Sequence, residues 1–198
     1  VEKGIQYDEN GNILTMQRTA NGILVDDLLY VYEGNRLTSL KESIRTSPAG
    51  DIYLPGSTPN GTFSYDENGN MISDSRNALK LEYNCLNLLR DVKTTSGVLK
   101  ARYRHLADGT KLDVRDNNEV NGFDYLGSLT YKKSSMGLQL ESASFGEGEI
   151  QANVSNSVGN EVNYFLTDHL GSVRVIVDGN GVVKERNDYY SFGARHSR

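Results

Sequence analysis

The sequence predicts an all-β protein: a mostly antiparallel sheet of consecutive hairpins. Three observations predict it. Val162, Tyr164 and Leu166, then Val173, Val175 and Val177, recur at every second position, the period of a strand. The octapeptide Tyr7-Asp8-Glu9-Asn10-Gly11-Asn12-Ile13-Leu14 returns nearly verbatim as Tyr65-Asp66-Glu67-Asn68-Gly69-Asn70-Met71-Ile72. With 20 Gly, 12 Tyr, no Trp and 37 % hydrophobic residues, the composition favours a turn-rich β protein with a thin core over a large-cored α/β enzyme.

Taken in order, the chain reads as hairpin after hairpin. Looser copies of the octapeptide begin at Tyr32, Tyr83 and Tyr103, at irregular spacings of 18 to 33 residues. Each copy has one physical grammar. An aromatic ends a strand, an Asp/Asn/Gly group turns the chain, and an apolar residue starts the return strand. Asn21-Gly22 is a strong reversal signal, and the strand that follows, to Tyr32, sets Leu28, Tyr30 and Tyr32 on one face and Leu29 and Val31 on the other. That reads as a central strand covered on both sides. Leu37 to Ile44 is readable as helix or strand, and little helix is expected anywhere. The three prolines Pro48, Pro55 and Pro59 put a long surface loop at about 47–61. Strands resume at Thr62, Leu79, Leu88, Val98 and Thr110. Residues 134–160 are Ser/Gly-rich and read as a variable, partly mobile insertion, and 161–198 as a terminal meander. Residues 1–133 carry the repeats, and all three parts belong to one continuous structural domain.

Bulk properties exclude several functions. A net charge of −5, with both signs interspersed, provides no basic face for nucleic acid. No apolar run is long enough to span a membrane. The single cysteine, Cys85, makes neither an internal disulfide nor a thiolate zinc site, and is expected as a small buried hydrophobe. The chain begins at Val1 without an initiator Met or a signal peptide, which reads as an excised fragment.

Candidate chemistry is weighed site by site. Asp8, Asn10 and Asn12, like Asp66, Asn68 and Asn70, imitate the start of a calcium loop, but Ile13 and Met71 stand where the invariant glycine belongs, and Thr19 and Asn77 where the glutamate belongs. Turn formation explains these residues better. Asp168, His169 and Ser172 invite a triad reading, yet no nucleophile elbow surrounds the serine and His169 falls in a tight turn. Asp168 is expected to cap that turn, and Arg174 to pair with a neighbouring carboxylate. Asp26 and Asp27 point to opposite faces and cannot share a site, and Glu147 and Glu149 lie in a Gly-rich stretch with nothing to hold them. The histidines His105, His169 and His196 lack metal-ligand spacing, so neither a metal nor a cofactor is expected. The residues singled out are structural: Tyr7, Tyr65, Tyr83, Tyr103 and Tyr164 as packing anchors, and Gly11, Gly69, Gly109, Asp168, His169, Gly171, Gly181 and Gly193 as turn positions.

Several ordered motifs together resemble the Rhs, or YD-repeat, family and its repeat-associated core module. They are the two Tyr-Asp-Glu-Asn-Gly-Asn copies, Asp108-Gly109-Thr110-Lys111-Leu112, Asp124-Tyr125-Leu126-Gly127, Asp168-His169-Leu170-Gly171-Ser172-Val173-Arg174, and Tyr189-Tyr190-Ser191-Phe192-Gly193. The resemblance implies a bacterial secreted or cell-surface protein whose repeats wind a β-sheet into a hollow shell around a C-terminal effector, as in insecticidal toxin complexes, with a related shell in teneurins. It implies as partners the rest of the shell or the effector. A complete shell needs many more repeats, so this stretch is expected as an open curved sheet or a partial β-shell or barrel, whose edges invite pairing with another chain. Two departures stand out: Ser191 replaces the usual proline, and the chain stops at Arg198, before the region where many relatives carry an aspartate-containing self-cleavage site. The competing expectation is a surface module that binds carbohydrate or a protein partner through exposed tyrosines.

Overall fold

A computed structural model describes residues 1–20, 22–44, 58, 60–152, 159–190, 193, 195 and 196. These residues are all strand, turn or coil, without a helix among them. They fall into two compact units, Val1–Val98 with Tyr189–Arg198, and Leu99–Asp188.

Between Val1 and Val98 the described residues form β1 (Glu2–Tyr7), β2 (Ile13–Ala20), β3 (Ile23–Glu33), β4 (Arg36–Glu42), β5 (Gly61–Tyr65), β6 (Met71–Asp74), β7 (Leu79–Tyr83) and β8 (Leu89–Thr94). Each pairs antiparallel with the next. Most of the Pro/Gly-rich loop expected at 47–61, and Asn21 of the first reversal, lie outside the described residues. The ambiguous stretch from Leu37 is strand β4. Its alternation places Leu40 opposite Tyr30 and Glu42 opposite Leu28. Met16, Leu28 and Leu40 form the buried cluster, with Ile5, Ile13, Tyr30 and Phe63 against it. Strand β3 is central, between β2 and β4, but it is not covered on both sides: Leu29 and Val31 are each 43 % exposed. A single sheet layer buries one face, so the second apolar row of β3 stays open.

Burying that one face also buries charge. Asp26 is completely buried and is tolerated because Arg18, its cross-strand partner, donates to it at 2.7 Å. Asp27 faces the other way and accepts from Gln17 at 3.1 Å, as the alternation of the strand requires. Cys85 departs from expectation. It is exposed, because it occupies a hairpin turn between β7 and β8 and not a strand position.

The second unit holds β9 (Leu99–His105), β10 (Lys111–Arg115), β11 (Gly122–Leu126), β12 (Leu129–Ser134), β13 (Gly137–Phe145), β14 (Gly148–Gln151), β15 (Glu161–Thr167), β16 (Val173–Asp178) and β17 (Val183–Arg186), again each antiparallel to the next. The meander expected after residue 161 is present as β15 to β17. The stretch from 134 to 152 is not a loose insertion. It forms β13 and β14, locked in register from Ser142 opposite Gln151 to Phe145 opposite Gly148. Only its end, residues 153–158, lies outside the described residues. The ladder closes because Gly148 lets the backbones approach: a Cβ there would stand 2.0 Å from the Asn163 carbonyl oxygen. The Phe145 and Tyr164 rings meet edge to face beside this glycine, centroids 5.8 Å apart. Beyond β17, β18 (Asp188–Tyr189) and β19 (Arg195–His196) make a separate two-stranded ribbon.

Candidate functional site

The repeated feature is a turn, and its geometry is copied along the chain. In the first copy the Asp8 amide donates to the Asn12 carbonyl at 2.9 Å and the Gly11 amide donates back to the Asp8 carbonyl at 3.1 Å. The Asp8 side chain then fills the loop: Oδ1 accepts from the Asn10 and Asn12 amides at 2.9 and 2.8 Å, and Oδ2 accepts from the Asn12 side chain at 2.8 Å. Asp66 closes with Asn70 in the same way, with amide-to-Oδ1 and side-chain-to-Oδ2 distances of 2.8 and 2.9 Å. Asn84 substitutes an amide oxygen for the carboxylate, accepting from Leu86 and Leu88 at 2.9 and 3.0 Å. Asp168 accepts from Leu170 and Ser172, both at 3.0 Å, and Asp178 from Asn180 and Val182, both at 2.9 Å. A five-residue reversal leaves backbone amides pointing inward, and a short acceptor at its first position satisfies them.

Such a loop needs a left-handed residue in its fourth position. Gly11, Gly69, Gly171 and Gly181 supply it with φ between 80° and 87°, and Gly109 and Gly193 also stand at positive φ. Asn87 fills the same place at φ 58°. Gly109 serves a variant turn in which Asp108 accepts from Thr110 at 2.8 Å from the third position.

These turns hold their carboxylates below the ordinary range. The side-chain amides of Asn12, Asn70 and Asn121 are the main cause for Asp8, Asp66 and Asp116, and the backbone amides of Thr110 and Val182 for Asp108 and Asp178. For Asp168 burial pushes upward, and the Ser172 and Leu170 amides, with His169 and Arg174, outweigh it. A group whose folded-state value is depressed contributes stability above its unfolded value and loses it as pH falls through the folded one. The reversals therefore weaken together below the ordinary aspartate value of 3.8. Amide hydrogen exchange should show the turn amides losing protection between pH 5 and pH 2, ahead of strand amides such as those of β3. Uniform loss across turns and strands would contradict the prediction.

Tyrosines tie one copy to the one before it. The Tyr65 hydroxyl donates to the Leu37 carbonyl at 3.0 Å, and the Tyr83 hydroxyl to the Met71 carbonyl at 2.8 Å. Leu37 and Met71 each lie in the return strand of the preceding hairpin, so every such bond crosses from one copy to its predecessor. Burial raises both phenols above their usual range. At the turn tips, amides add a second tie. Asn12 reaches Asn35 at 3.2 Å, and Asn68 and Asn70 reach Asn87 at 3.1 and 3.0 Å. Replacing Tyr65 or Tyr83 by Phe should lower stability by about 1 kcal/mol through the lost hydroxyl bond. Tyr7→Phe should fall within about 0.5 kcal/mol of wild type. Urea titration of the three variants distinguishes these outcomes, and equal effects at all three sites would refute the inter-copy tie.

The other expected anchors behave differently. Tyr7 is 55 % exposed, and Tyr164, 39 % exposed, rests on Phe145. Tyr103 and Tyr125 share the Lys111 ammonium, 5.4 and 5.6 Å from their ring centres. His169 is an exposed turn residue next to Asp168. Asp168 Oδ1 is occupied by the turn amides, and Arg174 pairs with Asp188 at 2.8 Å. The side chain of His196 lies outside the described residues. Among the described residues no three His, Cys, Asp or Glu side chains are grouped to hold a metal ion.

Sequence reasoning missed an ionic row around the buried Asp113 and Arg115 of the second unit. Asp113 and Asp124 stand directly opposite each other on β10 and β11. Arg104 donates to Asp113 through Nε at 3.0 and 2.8 Å. Arg115, only 5 % exposed, donates to the Val114 and Phe123 carbonyls at 3.0 Å each and to Asp124. Alternation within β10 puts Asp113 and Arg115 on one face, but their partner on β11 follows only from the register.

Fold and turn together define the class: an antiparallel array of tyrosine–aspartate hairpins. No family model and no curated protein matches the chain. Among solved structures it resembles the TcdB2-TccC3 complex without its hypervariable C-terminal region, over 97 % of this chain, at 13 % identity and a TM-score of 0.54. It also resembles the TcdB2-TccC3-Cdc42 complex (12 % identity, TM-score 0.51) and the Photorhabdus luminescens Tc holotoxin pore with a mutant TccC3 (12 % identity, TM-score 0.50), each over 97 % of this chain. The likeness is one of fold, and this chain spans only 12 to 15 % of the length of those chains.

Proposed function

We propose that this chain is a stretch of wall in an Rhs-like β-shell, a non-enzymatic structural module of a secreted or cell-surface protein that encloses or presents a C-terminal effector. The observation that carries the reading is the repeated hairpin itself. The turns at Asp8, Asp66, Asn84, Asp168 and Asp178 are closed locally by that residue, and the copies from Asp8 to Asn84 are also fastened to a neighbour by a tyrosine hydroxyl or a turn amide, a unit that can be added along one dimension. The chemical groups that first suggest catalysis are spent on this task, as Asp168 is. The likeness of fold to toxin complexes agrees with the reading, as do the motifs shared with Rhs proteins. A binding platform of tyrosines receives less support, since only Tyr7 and Tyr164 among the described tyrosines are exposed.

Electron microscopy of the complete reading frame containing this segment tests the proposal. A hollow particle with additional density inside, and an interior segment that resists protease until the particle is opened, is the expected result. A solid or extended particle, or glycan-array binding lost on Tyr7→Ala, would overturn it in favour of a surface binding module. Hydrolysis of ester, glycoside or peptide substrates that disappears on replacing Asp168 or His169 would overturn it in favour of an enzyme.

A further inference from the structure

The turn that builds the hairpins also places an Asn-Gly pair in its third and fourth positions at Asn10-Gly11, Asn68-Gly69 and Asn180-Gly181. Asn-Gly is the sequence most prone to rearrange. The backbone nitrogen of the glycine attacks Cγ of the asparagine, a C–N bond forms, and the Cγ–Nδ2 bond breaks. The side-chain nitrogen leaves as ammonia, taking up the proton that the glycine nitrogen gives up. Water then opens the cyclic imide at either carbonyl, yielding aspartate or isoaspartate, without any redox partner. The step requires the glycine amide to be free to give up its proton and the asparagine side chain to be free to fold back onto it.

Both freedoms are restricted here. The Gly11, Gly69 and Gly181 amides donate to the carbonyls of Asp8, Asp66 and Asp178 at 3.1, 3.1 and 2.9 Å. The asparagine backbone is pinned at Asn10 and Asn180 by the aspartate side chain, both at 2.9 Å. At Asn68 the restraint falls on the reacting group itself, whose Nδ2 donates to Asn87 Oδ1 of the neighbouring turn at 3.1 Å. Rearrangement would also harm the fold, because an isoaspartate adds a methylene to the backbone of a loop closed by the 2.9 Å Asp66-to-Asn70 bond.

We propose that Asn10, Asn68 and Asn180 are modification sites for succinimide-mediated deamidation, held in check by the hydrogen bonds of the turn, and that Asn68 is the most strongly sheltered because the adjacent hairpin anchors its side chain. The neighbouring copy then protects the covalent structure of the turn as well as its shape.

Peptide mapping of the full chain aged at mildly alkaline pH, with isoaspartate read by enzymatic methylation, tests this. In the folded chain all three sites should deamidate about tenfold or more slowly than in the same chain held unfolded in urea, with Asn68 slowest. Asn87→Gly removes the amide acceptor while suiting the positive φ at that position. It should raise the Asn68 rate severalfold and leave Asn10 and Asn180 unchanged. Equal rates in the folded and unfolded chain would overturn the shelter outright. An Asn68 rate unaffected by Asn87→Gly, or a rise at all three sites together, would overturn the role of the neighbouring turn.

Discussion

Replacing Arg115 by methionine should destabilise the second unit by about 1–3 kcal/mol, the cost of taking its ion pair from Asp124 and its donor from the Val114 and Phe123 carbonyls. Asp113 is 6 % exposed and Asp124 faces it directly across the β10–β11 ladder. With the guanidinium gone, Arg104 still compensates Asp113, but Asp124 loses its ion pair and the two carboxylates oppose each other. The methionine matches the arginine stem in bulk, so the loss is electrostatic and not a cavity effect. Hydrogen exchange on the β10 and β11 amides measures the outcome locally, which suits a chain with two compact units better than one global midpoint. Adding Asp124→Asn to the methionine variant should recover part of the loss, since the like-charge opposition is then removed. A change below about 1 kcal/mol in the single variant would mean that the row behaves as a solvated surface pair.

The second large effect is expected at Gly148. Alanine there would push a methyl group to 2.0 Å from the Asn163 carbonyl oxygen and 3.1 Å from Phe145 Cζ. The carbonyl belongs to the paired strand, so relief requires opening the β14–β15 ladder. The cost is about 1–3 kcal/mol, and more if the ladder shifts. Gly146 is the internal control: a Cβ there meets nothing within 4 Å, and Gly146→Ala should stay within about 0.5 kcal/mol of wild type. Comparable losses at both glycines would show that flexibility of the turn, and not the close approach, decides the result.

Those two sites mark where the sequence stops being readable. The hairpins were legible because their signals are local: Asp8, Gly11 and Asn12, or Asp168, Gly171 and Ser172, all act within five residues. The role of Asp168 as a turn cap and the pairing of Arg174 with a carboxylate follow from the same locality. The Arg115 row depends on which residue of β11 faces β10, and alternation alone fixes the face but not the partner. Strands β13 and β14 were hidden by Ser, Gly and Glu, which are poor strand formers in isolation and are held here by flanking partners. Gly148 reads as flexibility in the sequence and acts as a point of close packing in the fold. Exposure of Leu29 and Val31 was equally out of reach, since it depends on how many layers cover the sheet.

The tyrosine bonds point one way along the chain, from Tyr65 back to Leu37 and from Tyr83 back to Met71. A hairpin emerging during synthesis therefore finds its acceptor already in place, and growth can proceed by zippering with little loop-closure entropy to overcome. Tyr190 also points back, but over a far longer separation. Its hydroxyl donates at 3.4 Å to the Thr19 carbonyl, 171 residues earlier, and the ring is nearly buried. The first unit consequently includes a contact that closes only after residues 99–188 have been made.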